Sequence, residues 1–224
     1  MWGKIEAGNI IQLYNNPVNL TDAQGTVYPK SYFQDNTKLA EFSVYPVTMV
    51  NNPPSNTELY WDGGINYAWN SDDSVIEGTY SYTAKNIDDV NEVWTQSEID
   101  NGEAPSGKKA NDAKLDVDGN QIVTLGLKST IIAHIKSQQA SLLSETDKWI
   151  VRKVEKDIDV PTTVTTYRDN IRTASDTMIT AVNDASTFDA VKLLFNNATY
   201  NDDLSLNTPS TLYNFPSAPQ GMPK

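Results

Sequence analysis

From Leu125 to Phe195 the apolar residues recur at the three- and four-residue spacing of helix faces, and this stretch constrains the fold more than any other. Leu127, Ile131, Ile132, Ile135 and Leu142 mark one face of a first helix. Ser144-Glu145-Thr146-Asp147 has the form of a capping box, with Ser144 at the N-cap. It opens a second helix, Glu145 to Lys156, which is expected to bury Trp149, Ile150 and Val154. Pro161-Thr162-Thr163 starts a third, longer helix with the stripe Val164, Tyr167, Ile171, Ala174, Met178 and Val182. Ser186-Thr187-Phe188-Asp189 reads as another capping box, ahead of Ala190, Val191, Leu194 and Phe195. Short connections between such helices favour antiparallel neighbours in a compact bundle.

The chain before this stretch alternates instead. Trp2 to Leu13 reads as a hairpin turning at Gly8-Asn9. Glu58 to Trp61 and Asn66 to Asn70 read as another, turning at Asp62-Gly63-Gly64. Val75 to Thr83 is a further strand, with Tyr80 and Tyr82 on one face. Asn101 to Asp112 has the composition of a mobile linker, and Lys114 to Thr124 forms a hairpin at Asp118-Gly119. After Phe195 the residues Pro209, Pro216, Pro219 and Pro223 punctuate a tail carrying Leu212, Tyr213, Phe215 and Met222, which is expected to be extended rather than folded on itself. The fold class is therefore α+β. An antiparallel β-rich domain spans residues 1–100, a linker with a β-hairpin 101–126, a small helical bundle 127–195 and an extended Pro-rich tail 196–224.

Charge bears on partners. The net charge of −12 repels phosphate backbones and anionic membrane surfaces, so neither nucleic acid nor membrane is an expected partner. No apolar run approaches the ~18 residues of a membrane span, and no basic segment precedes an apolar one at the N-terminus, so no signal peptide is expected.

Motifs for chemistry are sparse. The chain has no cysteine and one histidine, His134, without an evident base partner. Asp116-Val117-Asp118-Gly119-Asn120 resembles part of a calcium loop, but its glycine comes too early and Leu127 stands where the loop needs glutamate, so it reads as a turn. Asp72-Asp73 and Asp88-Asp89 read as solvated charges. Neither a dinucleotide fingerprint, a P-loop nor a nucleophile elbow occurs. No catalytic residue, metal ligand or cofactor is expected. Trp61, Tyr67, Trp69, Tyr80 and Tyr82 form an aromatic sheet core, a sugar-stacking platform or a protein interface. Together with Leu212, Tyr213 and Phe215 of the tail they are the candidate protein-contact residues.

Four segments carry a resemblance: Leu142-Leu143-Ser144-Glu145-Thr146-Asp147, Arg152-Lys153-Val154-Glu155-Lys156, Val160-Pro161 and Tyr167-Arg168-Asp169-Asn170-Ile171-Arg172. They resemble the tail fibre assembly and tail assembly chaperone-like proteins of tailed phages, marine ones especially. The N-terminal Trp2-Gly3-Lys4-Ile5-Glu6, Tyr28-Pro29, Phe33 and Tyr45-Pro46-Val47 are similar to the same group. Lys148 stands where that family usually has tryptophan, and Trp149 follows it. The resemblance implies action by protein–protein binding rather than catalysis. It points to a virion structural protein, tail- or fibre-associated, oligomeric with itself or with other phage structural proteins. Its place would be the virion, and the host cytoplasm during assembly. The alternatives are a transient fibre chaperone absent from the particle and, in a different class, a carbohydrate-binding module.

Overall fold

The computed structural model describes residues 1–202 and 206–219. The expectations at Met222 and Pro223 lie outside them. The chain is a mixed α+β protein with an N-terminal sheet and C-terminal helices. It divides into two compact units, Met1–Ala84 and Lys85–Lys224.

In the first unit, β1 (Trp2–Glu6) and β2 (Asn9–Tyr14) form the first hairpin. Its left-handed turn residues are Ala7 (φ 49°) and Gly8 (φ 81°), one position earlier than Gly8-Asn9. A two-strand ribbon, β3 (Leu20–Thr21) with β4 (Val27–Tyr28), follows, then a 3-10 turn over Lys30–Gln34 and α1 (Asn36–Ala40), capped by the Asp35 carboxylate. After β5 (Val44–Met49) come β6 (Tyr60–Asn70) and β7 (Val75–Ala84).

The sheet order is β2-β1-β5-β7-β6. The β5–β7 pair is parallel, so the sheet is mixed and not the purely antiparallel one expected. The 60s are corrected too. Asp62-Gly63-Gly64 is a bulge inside one continuous strand, and the hairpin turns at Ser71–Ser74. The physical reason lies in the two glycines. Gly64 has φ +78°, and a Cβ on Gly63 would sit 2.9 Å from Ser81 Oγ. They let one extra residue fit opposite β7 without ending the ladder. The outer strands β2 and β6 approach each other, so the sheet curls. One face of β1 and β5 covers a core of Leu20, Phe33, Leu39 and Val44, with Phe33 edge-on to Trp2 at 5.0 Å.

The second unit opens with β8 (Val90–Asn91), α2 (Gln96–Asp100) and β9 (Val123–Thr124), which pairs back on β8. The stretch read as a mobile linker is laced in place. Asn111 N–H donates to Trp94 O at 2.9 Å, and Trp94 N–H to Asp112 O at 2.9 Å. Asp118-Gly119 is a turn, as expected, with Gly119 at φ 84°. The Asp116 carboxylate accepts from the Asp118 and Asn120 amides, which hold it below the usual carboxylate range, Asn120 contributing most.

Helices α3 (Leu127–Ser144), α4 (Asp147–Lys156), α5 (Thr162–Asp184) and α6 (Phe188–Leu193) follow. α3 packs along α5. Ile131 and Ile135 of α3 and Val164, Ile171, Met178 and Val182 of α5 are all buried. Such stripes remove apolar surface from water, the main driving force for helix packing.

Neither capping box forms as expected. Ser144 ends α3 and its hydroxyl bonds Ser141 O. At α6 the cap is Thr187, accepting from Ala190 N–H. The chain after Phe195 is not wholly extended: β10 (Thr199–Tyr200) pairs with β11 (Leu206–Thr208).

Candidate interaction surfaces

The register of β6 and β7 decides where the aromatic strand residues go. Tyr67 lies opposite Gly78, Trp69 opposite Ile76 and Trp61 opposite Thr83. Since side chains alternate between faces, Tyr67, Trp69, Tyr80 and Tyr82 share one face and Trp61 takes the other. Trp61 is 53% exposed, whereas the other four are half-buried. Trp69 packs on Tyr45 at 4.4 Å between ring centroids, and Tyr67 fills the space above Gly78. Tyr80 and Tyr82 stack at 6.1 Å, and Tyr60 meets Tyr82 edge-on at 6.3 Å. Burial, then the charge of Asp62, pushes the Tyr82 hydroxyl above its ordinary pKa.

Asn51 fixes Tyr80 from the strand side. Its amide accepts from Tyr80 N–H at 2.7 Å and donates to Tyr80 O at 3.0 Å, continuing the parallel ladder past the end of β5. The five residues therefore do not make one platform.

The tail residues lie in the second unit and are brought together there. Leu212 is buried, Phe215 is half-buried and Tyr213 sits against the exposed His134 ring at 4.7 Å. Asn196 clamps the tail by accepting from Thr211 N–H (2.8 Å) and donating to Pro209 O (3.2 Å). Leu212 is thus a packing residue of its own chain.

The sequence reading missed α4 as a surface. Ile150 (39%), Val151 (49%) and Val154 (81%) are exposed, Trp149 is half-buried, and α4 buries no residue completely. This corrects the expected burial of Ile150 and Val154. The signal was present: Asp147, Lys148, Arg152, Lys153, Glu155 and Lys156 leave too few apolar positions for a wrapped helix. Lys148 and Arg152 lie over the Trp149 ring at 5.8 and 5.2 Å. Lys153 is neutralised by Asp157 (2.6 Å) and Asp159 (2.8 Å), which raise its pKa, Asp157 most. α4 is thus a basic, apolar-striped helix on an acidic chain.

What holds α4 is Arg168 on α5. Its Nη1 donates to Leu143 O (2.8 Å), Thr146 Oγ1 (2.7 Å) and Asp147 Oδ1 (2.8 Å). Thr146 Oγ1 in turn donates to Leu143 O at 2.9 Å. The neighbouring Tyr167 is buried, which raises its hydroxyl pKa. Arg168, through Leu143, Thr146 and Asp147, therefore clasps the end of α3 and the start of α4 to the first half of α5.

Among the described residues, no group of three or more His, Asp or Glu is placed to hold a metal ion. No described helix is long and apolar enough to cross a membrane. In comparisons with known proteins, no family model, no curated protein and no solved structure matches this chain.

Proposed function

We propose that this chain is a bacteriophage virion structural protein, tail- or fibre-associated, acting by protein–protein binding. The helical segment is its small bundle, and the Pro-rich tail is a packing strap. The observation that carries this reading is α4, an exposed Ile150-Val151-Val154 stripe held in a fixed pose by Arg168. An exposed apolar stripe on a fixed helix suits a protein surface with an apolar centre. Its partner is therefore another virion subunit.

The resemblance over Leu142 to Arg172 supports the setting, because its segments include both ends of α4. Mass spectrometry of purified phage particles tests the reading, with this chain expected as a particle component. Its absence from mature particles, joined to a rise in fibre solubility on co-expression, would replace it with the transient-chaperone reading.

A further inference from the structure

The exposed face of α4 carries its charges in a particular order. Val151 and Val154 lie three residues apart on that face, with Ile150 beside them. In heptad terms Val151 takes a, Val154 takes d and Ile150 takes g. Lys148 and Glu155, seven residues apart, both fall on the e edge of the stripe, and both are exposed. That edge therefore begins in a cation and ends in an anion. Beyond Ile150 the other edge holds Lys153, whose ammonium is already met by Asp157 at 2.6 Å and Asp159 at 2.8 Å. Arg152 and Lys156 fall at b and f, away from the stripe.

This order selects a partner. When two copies of α4 pack antiparallel about a two-fold axis, each e edge lies along the same edge of the other copy, reversed. With the axis beside Val151 and Arg152, Lys148 of one copy meets Glu155 of the other, and Glu155 meets Lys148. Val151 and Val154 fill the seam between the two ion pairs. A parallel pairing instead sets Lys148 against Lys148 and Glu155 against Glu155, which repel. The apolar seam supplies the attraction. The ion pairs are exposed and individually weak, so their part is to set the direction. A helix of 10 residues is about 15 Å long. Such a contact is smaller than a stable dimer needs, so the association is expected to be weak and to matter where copies are concentrated.

We propose that α4 is a self-association helix whose partner is the α4 of a second copy of this chain, packed antiparallel. This rests on the reading of α4 as a contact surface and names what covers it.

Sedimentation equilibrium of the full chain, from about 10 µM to about 1 mM at low salt, tests it. A concentration-dependent dimer is expected. Lys148→Glu and Glu155→Lys lie at exposed positions, and each sets like charges together twice. Each alone is expected to weaken the dimer about tenfold. An equimolar mixture of the two variants is expected to recover the parent affinity, because each then supplies the charge that the other lacks. Val154→Asp, in the seam, is expected to abolish dimerisation. A chain that stays monomeric throughout overturns the proposal, as does a dimer indifferent to Val154→Asp or a mixture that fails to recover. If the parent chain is monomeric and Val154→Asp is still lost from particles, the second copy is rejected and α4 stands as a contact with a different subunit.

Discussion

Arg168 Nη1 lies 2.7 Å from Thr146 Oγ1, a buried hydrogen bond between residues far apart in the chain. Both are structural in the folded chain. The guanidinium caps the last carbonyls of α3 through Leu143 and anchors α4 through Asp147. Its buried Nε has no partner among the described residues, so the Nη1 contacts carry the interaction. Arg168→Ala is expected to lower stability by about 3 kcal/mol, since it removes three charge-assisted bonds and leaves Thr146 and Leu143 O partly unmet. Arg168→Lys retains a cation on a long stem and is expected to cost about 1 kcal/mol. Urea unfolding followed by helical circular dichroism measures both; equal losses would show that geometry at Nη1 is immaterial.

Glu98 and Lys114 close the first part of the second unit in another way. The Glu98 carboxylate accepts from Lys114 Nζ at 2.5 Å and from Thr95 N–H at 2.8 Å, and the Lys114 ammonium also lies over the Trp94 ring. The Lys114 contact, then the Thr95 amide, hold Glu98 down to about 2 from its ordinary 4.5. A depressed carboxylate stabilises the fold above its unfolded pKa, and the contribution is lost as pH falls through the folded one. Amide exchange at Thr95 is therefore expected to be slow and pH-corrected constant above pH 4.5, and to accelerate as pH falls toward about 2. Glu98→Gln is expected to flatten that dependence. Carboxyl NMR that finds Glu98 titrating at its ordinary value would contradict the pairing.

The helices were legible in sequence because one-sided burial writes a period, and Val164, Ile171, Met178 and Val182 are buried as their spacing says. The strands were legible in kind but not in pairing. Parallel pairing of β5 with β7 leaves no local mark, and Gly63-Gly64 serves a bulge as readily as a turn. The α6 cap falls one residue later, at Thr187, while the hydroxyls of Ser144 and Thr146 bond back to carbonyls of α3 and leave α4 without a side-chain cap. Of the candidate contact residues, Leu212 was read as a docking residue and is buried by its own chain. α4 was read as buried because apolar spacing alone does not say what covers a face.

The bulge reading of β6 has its own consequence. Gly64 holds φ +78°, a region where a β-branched residue is strained, and its missing Cβ faces open space. Gly64→Val is therefore expected to destabilise by about 1–2 kcal/mol through backbone strain and not through a clash. Gly64→Asn is expected to cost less than half as much, because asparagine tolerates the left-handed region. Thermal unfolding compares them. Equal losses from the two substitutions would mean that the residue is not held at positive φ.

The exposed stripe of α4 separates binding from folding. Val154 is 81% exposed and Ile171 is fully buried on the neighbouring α5. Val154→Asp removes little buried surface, so its effect on stability is expected to stay within about 0.5 kcal/mol. Ile171→Ala opens a cavity between packed helices and is expected to cost about 3 kcal/mol. If α4 is the contact surface, Val154→Asp places a charge in the apolar stripe that meets the partner. Incorporation into particles is then expected to fall at least tenfold while the melting temperature stays near that of the parent chain. Particle incorporation that survives Val154→Asp would remove α4 as the contact. A large drop in melting temperature for Val154→Asp would instead show that the helix face is covered by its own chain.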